Sequence, residues 1–356
     1  MDKYVLKNVT VDGMLTDITI DRGTGKILSV EKTADEGRDM MGSEIIPGFV
    51  DIHSHGCVGY DTMDGDKLPE MSKFLAEHGT TSWCPTTMTL AVEDIRKVVA
   101  SSPMPTEGAH VVGFHLEGPY IAPKYCGAQR ADLAKAPDLH DFEGLDNVAL
   151  LTLAPELEGA MDYIKNAPFP IALGHTAADF ETAQKAFQCG ANCVTHTFNA
   201  MPPLHHREPS VIGAALVENA YAQVICDGKH IHPAVILALY RMFGPERMIL
   251  ISDSMRATGL PDGLYELGGQ PVIVKESTAR TESGALAGST STLAECVRCA
   301  VKFGIPRADA IKMATKTPAE YLGIRKGRIA PGYDADLLVV DDALNIKEVI
   351  LCNSFQ

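Results

Sequence analysis

The chain has 356 residues, 46% hydrophobic and 22% charged, a globular composition with ample apolar material for a core. Its formal net charge of −15 at pH 7 disfavours nucleic acid or an anionic membrane surface as a partner, so a phosphate ligand would need a local positive site. No apolar run approaches the roughly 18 residues of a membrane span, and MDKYVLKNVTVDG lacks the apolar stretch of a secretory signal.

Nine cysteines scattered along a long chain read as free thiols in a reducing cytoplasm rather than as a disulfide framework. Cys296 and Cys299 form a CxxC inside a helical pattern; with no second pair nearby they read as core-facing thiols, not a structural zinc site.

In chain order, residues 1–46 alternate apolar and polar positions with turns at Asp12-Gly13 and Arg22-Gly23, which predicts short antiparallel strands. Residues 330–356 read the same way, so the two ends are expected to build one small β-sandwich domain. Between them, residues 47–329 carry eight strand candidates in all: 45–52, 80–84, 110–116, 148–153, 169–173, 192–195, 221–226 and 248–252. Helical patterns such as KLPEMSKFLAEHG, with Gly79 as its stop, VEDIRKVVASS, DFETAQKAFQCG and HPAVILALYRMFG separate most of them. The helix after the sixth strand is poorly marked. Strands alternating with helices predict an α/β fold, a (β/α)8 TIM barrel.

The informative fact is where the ligand-type residues fall. His53 and His55 end the first strand, Glu117 the third, His175 the fifth, His196 the sixth and Asp253 the eighth. The carboxyl ends of barrel strands share one face, so these residues converge there. His53 and His55, two apart on an extended segment, point the same way. Imidazoles with carboxylates suit zinc or another divalent transition metal, and an open position suits a catalytic site. Any one histidine is more often an ordinary hydrogen-bonded residue; His78, His110, His140 and His232 keep that role, and His115 reads as support for the site.

At these residues the chain resembles the amidohydrolase superfamily and, within it, the N-acetylglucosamine-6-phosphate deacetylases. The resemblance runs through PGFVDIHSHG (47–56), HLEGPYI (115–121), GHT (174–176), THTFNAMPPLHHREP (195–209), ISDSM (251–255), LAGS (286–289) and GRIAPGYDADLLVVD, covering about 46–341. It implies that Glu117, His175 and His196 hold the main metal, with His53 and His55 available for a second. Asp253 would be the catalytic acid–base. Zinc is the first candidate, with iron, manganese or cobalt as alternatives, one or two ions per subunit. Ala128, Asn199 and Ala200 would lie beside a phosphorylated N-acetyl amino sugar, Arg207 and His230 would contact its phosphate, and Leu286, Ala287 and Gly288 would line the acetamido side. Gln129 stands where some relatives have a histidine. A cytoplasmic homodimer is the expected state, a neighbouring subunit being one source of Arg207.

The chemistry so implied is deacetylation of N-acetyl-D-glucosamine 6-phosphate to D-glucosamine 6-phosphate and acetate, in amino-sugar catabolism or cell-wall recycling. A metal-bound hydroxide is the nucleophile, since a divalent cation brings its water's pKa to about 7, and Asp253 acts as general base and then acid. Asp227 and Asp262 suit turn or surface roles, and Arg207 taken alone would be read as an ion pair with Glu208. The competing readings are an N-acetylgalactosamine-6-phosphate deacetylase, an N-acyl amino-acid deacylase, a dihydroorotase or adenine deaminase, and a non-catalytic scaffold. No obvious bridging lysine favours the ring hydrolases, and no expected ligand position is missing, which disfavours the scaffold.

Overall fold

A computed structural model describes residues 2–355. The alternating amino-terminal segment forms β1 (Lys3–Val11) and β2 (Met14–Asp21) as an antiparallel hairpin, with β3 (Lys26–Val30) beside β2. A bulge between Leu6 and Val9 leaves Asn8 at a φ of 53°. There the buried Asp17 carboxylate accepts the Asn8 N–H at 2.8 Å and the Thr33 N–H at 3.0 Å, with Lys32 Nζ at 3.1 Å. Strands β4 (Arg38–Asp39) and β5 (Glu44–Pro47) run parallel to β1.

The expected strand 45–52 is in fact two. β5 ends at Pro47, whose missing N–H cannot continue a ladder. At Gly48 any Cβ would run into the Thr81 side chain, so only glycine passes. Beyond it β6 (Phe49–Ser54) starts a different sheet. A short hairpin of β7 (Gly56–Cys57) and β8 (Tyr60–Asp61) follows, then α1 (Leu68–Glu77), which stops at Gly79 as expected. Next come β9 (Thr80–Pro85) and α2 (Val92–Ser101). The expected strand 110–116 is also two, β10 (His110–Val111) and β11 (Phe114–Glu117), divided at Gly113. β10 pairs with β9 and β11 with the strand that follows.

That strand is β12 (Val148–Leu153). After it α3 (Ala160–Asn166), β13 (Ile171–Leu173), α4 (Phe180–Cys189), β14 (Cys193–Val194), α5 (Ser210–Val217), β15 (Tyr221–Ile225), α6 (Pro233–Phe243) and β16 (Met248–Ile251) alternate. β11 to β16 form one six-stranded parallel sheet, each strand beside its successor, a half-barrel of mixed α/β character. Parallel bridges Thr86–His115 and Ser54–Ser254 tie β9 to β11 and the end of β6 to the residues after β16. The poorly marked helix is α5. Six of its eight residues are buried, so it carries no polar stripe for periodicity to detect.

Alternation along the strands sorts the side chains. Leu151, Leu173, Val194, Val224 and Leu250 pack outward against the helices, whereas Leu150, Ala172, Cys193, Ile225 and Ile249 pack together on the other face. On β11 the same period places His115 and Glu117 opposite Phe114 and Leu116. Truncating one such fully buried leucine or isoleucine to alanine costs about 2–5 kcal/mol.

After β16 comes a feature the sequence reading missed, an antiparallel sheet of β17 (Gly263–Leu267), β18 (Gln270–Lys275) and β19 (Thr278–Thr281). Val272, Val274 and Ala279 pack on Met88, Met255 and Ala257, while Leu264 and Ile273 face out. Helices α7 (Leu293–Lys302), α8 (Arg307–Met313) and α9 (Lys316–Leu322) follow. Cys296 and Cys299 lie on α7, and all nine cysteines are free. Tyr321 of α9 sits 5.2 Å from the ring of Tyr221, the first residue of β15, and so fills the amino-terminal end of the strands. β20 (Leu337–Val340) then pairs with β5 and with β21 (Ile346–Ile350), giving a seven-stranded sheet from both chain ends with its own core of Leu6, Ile18, Ile20, Ile45 and Leu337. Among the described residues no helix is long and apolar enough to cross a membrane.

Candidate metal centre and active-site cavity

Each expected ligand stands at the carboxyl end of a strand. His53 is in β6 and His55 one residue past it; Glu117 is the last residue of β11. His175, His196 and Asp253 each follow their strand by two residues, with φ of 47°, 25° and 48°. Non-glycine residues rarely adopt such values, and here they let the chain leave the sheet while the side chain stays over it. Local contacts hold the strain in place. Glu156 accepts the Ala177 N–H at 2.5 Å and the Thr176 hydroxyl at 2.6 Å. Asp253 donates its N–H to the His53 carbonyl at 2.9 Å and accepts from Ser289 N–H at 2.7 Å.

The side chains converge on one carboxylate. Glu117 Oε1 lies 3.3 Å from His53 Nε2, 3.3 Å from His175 Nε2 and 3.0 Å from His196 Nε2, and its Oε2 lies 3.2 Å from His55 Nε2. Asp253 Oδ1 is 3.3 Å from both His53 and His55. Two potential ligand triads result, His53–His55–Glu117 and Glu117–His175–His196, with Glu117 in both and the donor atoms of each within 4.8 Å of one another.

The outer ring nitrogens explain the orientation. His55 Nδ1 faces the Thr86 carbonyl at 3.2 Å and His175 Nδ1 the Tyr125 carbonyl at 2.9 Å; His53 Nδ1 faces Gln223 Oε1 at 3.0 Å. A carbonyl oxygen only accepts, so these rings donate from Nδ1, and in the neutral form each turns a bare Nε2 lone pair inward. Yet Nε2 of His53 and His55 are only 3.3 Å apart. Lone pairs at that distance repel unless a cation lies among them. The donor set, imidazole nitrogen with carboxylate oxygen backed by outer hydrogen bonds, fits a divalent transition metal.

Electrostatics agree. Burial would push the Glu117 and Asp253 carboxyls up, but the surrounding imidazoles outweigh it, holding Glu117 well below its usual range and Asp253 at about 2. Burial pulls His55 down, yet Asp253 and Glu117 push it well up, so protons compete with a cation for this place. His115 behaves as support. Burial, then the His53 charge, keep its ring neutral; it packs edge-on to His53 at 4.5 Å and hydrogen-bonds Thr152 Oγ1 at 2.7 Å.

Beside the cluster opens a cavity of about 280 Å³ reached by His55, Glu117, His175, His196 and Asp253. Ala128, Asn199, Ala200, His230, Leu286 and Gly288 line it. Ala287 does not; alternation along the segment turns its methyl into the core with Met255 and Val272. Arg207 also lies elsewhere. It is exposed, in a groove with Lys124, Tyr125 and Pro209, and its guanidinium meets His206 Nε2 at 2.8 Å. The ion pair with Glu208 is not formed. A tight turn, with His205 and Glu208 exchanging backbone hydrogen bonds, sends the side chains apart.

Three residues went unread or misread. Asp227 keeps the expected turn role, accepting the Lys229 and His230 N–H groups at 2.8 and 3.0 Å, but not the surface one: its side chain is 2% exposed and grips His230 Nδ1 at 2.7 Å. Burial raises its carboxyl, but the His230 hydrogen bond outweighs that and lowers it. The i, i+3 spacing of an aspartate and a histidine was the available signal. Gln129 is buried against Glu117. Leu267 of β17 closes one cavity wall. The ordinary roles hold for Asp262, which accepts the Glu276 and Ser277 N–H groups, for His78, bonded to the Phe74 carbonyl, and for His232, which caps α6.

Comparison with known proteins agrees with this geometry. The amidohydrolase family model matches residues 45–353. The chain is 37% identical to an N-acetylglucosamine-6-phosphate deacetylase of Bacillus subtilis (strain 168), over 95% of this chain and 90% of that one. It is 34% identical to an N-acetylgalactosamine-6-phosphate deacetylase of Escherichia coli O157:H7, over 96% and 95%. A mutant N-acetyl-D-glucosamine-6-phosphate deacetylase from Mycobacterium smegmatis, solved in complex with N-acetyl-D-glucosamine-6-phosphate, superposes with a TM-score of 0.88 at 30% identity over 99% of both chains. A cluster built from the ends of five strands and a family match over almost the full sequence lead to one statement: the chain belongs to the amidohydrolase family.

Proposed function

We propose that the protein is a metal-dependent amide hydrolase that deacetylates N-acetyl-D-glucosamine 6-phosphate, giving D-glucosamine 6-phosphate and acetate. The observation that carries this is the shared Glu117 with four imidazoles and an ionised Asp253 at one end of a cavity whose wall includes the Asp227-held His230. A divalent cation, zinc before iron, manganese or cobalt, would be held by Glu117, His175 and His196, with a second at His53 and His55, and supplies a polarised carbonyl and a water of lowered pKa. Asp253, ionised at neutral pH, takes the proton of the attacking water. It then returns that proton to the sugar nitrogen as the C–N bond breaks. Leu286 and Gly288 shape the acetamido side, while Ala128, Asn199 and Ala200 flank the sugar. His230 meets the phosphate.

Arg207 completes phosphate binding from the neighbouring subunit of a homodimer; its exposure and lack of a carboxylate partner among the described residues support this. We read residues 47–329 as a full (β/α)8 barrel, supported by the Thr86–His115 and Ser54–Ser254 bridges, with 1–46 and 330–356 as a small β-sandwich domain supported by its separate core. Nine free thiols suit a cytoplasmic setting. The galactosamine epimer is the second reading, favoured by the 34% identity to the enzyme of that name. Acetate release from both sugar 6-phosphates, from N-acetylglucosamine and from N-acetyl amino acids, with and without chelator, tests the reaction, the substrate and the metal dependence. Chelator-sensitive release from a sugar phosphate alone is expected; release insensitive to chelator, or from amino acids only, overturns the reading.

A further inference from the structure

Gln129 has no part in the chemistry above, yet it is 4% exposed and its amide meets the carboxylate that both ligand triads share. Its orientation is fixed. The backbone N–H of Thr89 points at Gln129 Oε1 at 2.7 Å, and an N–H can only donate. The amide oxygen therefore faces Thr89, and the NH2 group must face Glu117 Oε2 as donor. Glu117 is thus gripped on the oxygen nearest His55, while Oε1 is left to His53, His175 and His196.

From this we infer that Gln129 is a positioning residue: it locks the Glu117 carboxylate in the rotation that turns Oε1 to His53, His175 and His196 and Oε2 to His55, and ties the segment bearing Ala128 to the metal centre. The same segment holds a second ligand, because the Tyr125 carbonyl accepts from His175 Nδ1 at 2.9 Å. It is anchored from outside by Gln270 Nε2, which donates to the Ala128 carbonyl at 2.8 Å. Substrate wall and ligand cage are therefore one hydrogen-bonded unit. The inference rests on the metal reading above and goes beyond it by giving a role, exerted through Glu117, to a residue of the cavity wall.

Gln129→Met keeps the volume and deletes the amide. Gln270→Met loosens the same segment without reaching Glu117. Metal affinity of the purified full chain is measured by competition with a chromophoric chelator, and the cobalt(II) visible spectrum is recorded for each protein. Loss of a hydrogen bond that orients a ligand costs typically 10–100-fold in metal affinity. That loss, with a changed cobalt spectrum, is expected for Gln129→Met, and wild-type values for Gln270→Met. Unchanged affinity and spectrum in Gln129→Met would overturn the proposal, as would an equal loss in Gln270→Met, which would assign the effect to loop order alone. If Gln129→Met fails to fold, Gln129→Ala, with room for water, replaces it under the same criteria. A wild-type protein that takes up no divalent metal defeats the metal reading itself, a result distinct from either.

Discussion

Asp253→Asn tests the proposed proton transfer with little disturbance of shape. The amide is isosteric, and the backbone contacts that hold residue 253, to the His53 carbonyl at 2.9 Å and from Ser289 N–H at 2.7 Å, do not involve the side chain. What disappears is the carboxylate charge of Asp253, which faces both the cavity and the cluster. General acid–base catalysis contributes typically 10²–10⁴-fold, about 2.7–5.5 kcal/mol at 1.36 kcal/mol per decade. The structure argues for the upper part of that range. Asp253 is only 7% exposed, so bulk water is a poor substitute, and Glu117 is already engaged by four imidazoles and Gln129. We expect kcat to fall about 10³-fold or more with KM changed by less than about threefold, because His230 and the cavity walls are untouched. Acetate release gives both constants, and elemental analysis of the same samples separates lost chemistry from lost metal. A variant with full metal content and kcat within about tenfold of the parent would refute the assignment.

Other consequences are equally open to measurement. Asp227→Asn removes the anion that holds His230; a hydrogen bond to a charged group is worth about 1.5–3 kcal/mol, so KM for the sugar phosphate should rise about 10–100-fold with kcat little altered, and the unphosphorylated sugar should show no such change. Arg207→Ala should likewise raise KM chiefly, by about tenfold, and steady-state kinetics that instead show a kcat defect would remove it from phosphate binding. Prolonged dialysis against chelator should abolish activity and lower Tm, both restored by adding back one divalent metal. Asp17 bears on acid stability: burial pushes its carboxyl up, but the Thr33 and Asn8 N–H groups and Lys32 outweigh this and depress it. A depressed folded-state value means its stabilisation is complete above the unfolded carboxyl range near pH 4 and is lost as pH falls below that. Asp17→Asn should cost about 1–3 kcal/mol at neutral pH and shrink the stability difference between pH 5 and pH 2, read by urea unfolding.

Much of the centre was legible because its spacing is local. His53 and His55 declare themselves by a period of two, and Glu117, His175, His196 and Asp253 by standing just past apolar runs. Boundaries were harder. Pro47 and Gly48 mark a break in the run 45–52, but nothing local shows that the chain changes sheets there, since the approach of Thr81 comes from another segment. α5 hid because a wholly buried helix has no amphipathic stripe, and β17–β19 because its inward residues meet a partner surface, Met88 and Met255, distant in sequence. Arg207 and Ala287 stand where no motif alone would place them. A turn reversal at His205–Glu208 and a single step of alternation decide whether a side chain enters the cavity, and both are set by tertiary packing.

The hydrogen bond from Asp253 to the His53 carbonyl joins the first ligand-bearing strand to residues two hundred positions later. Until Ser289 is in place to donate its N–H to the Asp253 carbonyl, the emerging polypeptide owns every imidazole of the cage while residue 253 lacks part of its backbone anchorage. A cation held there would bind the folded cage and not the open chain, and so would favour the completed molecule. Metal starvation during synthesis should accordingly leave a loosened, protease-sensitive population rather than a merely idle one.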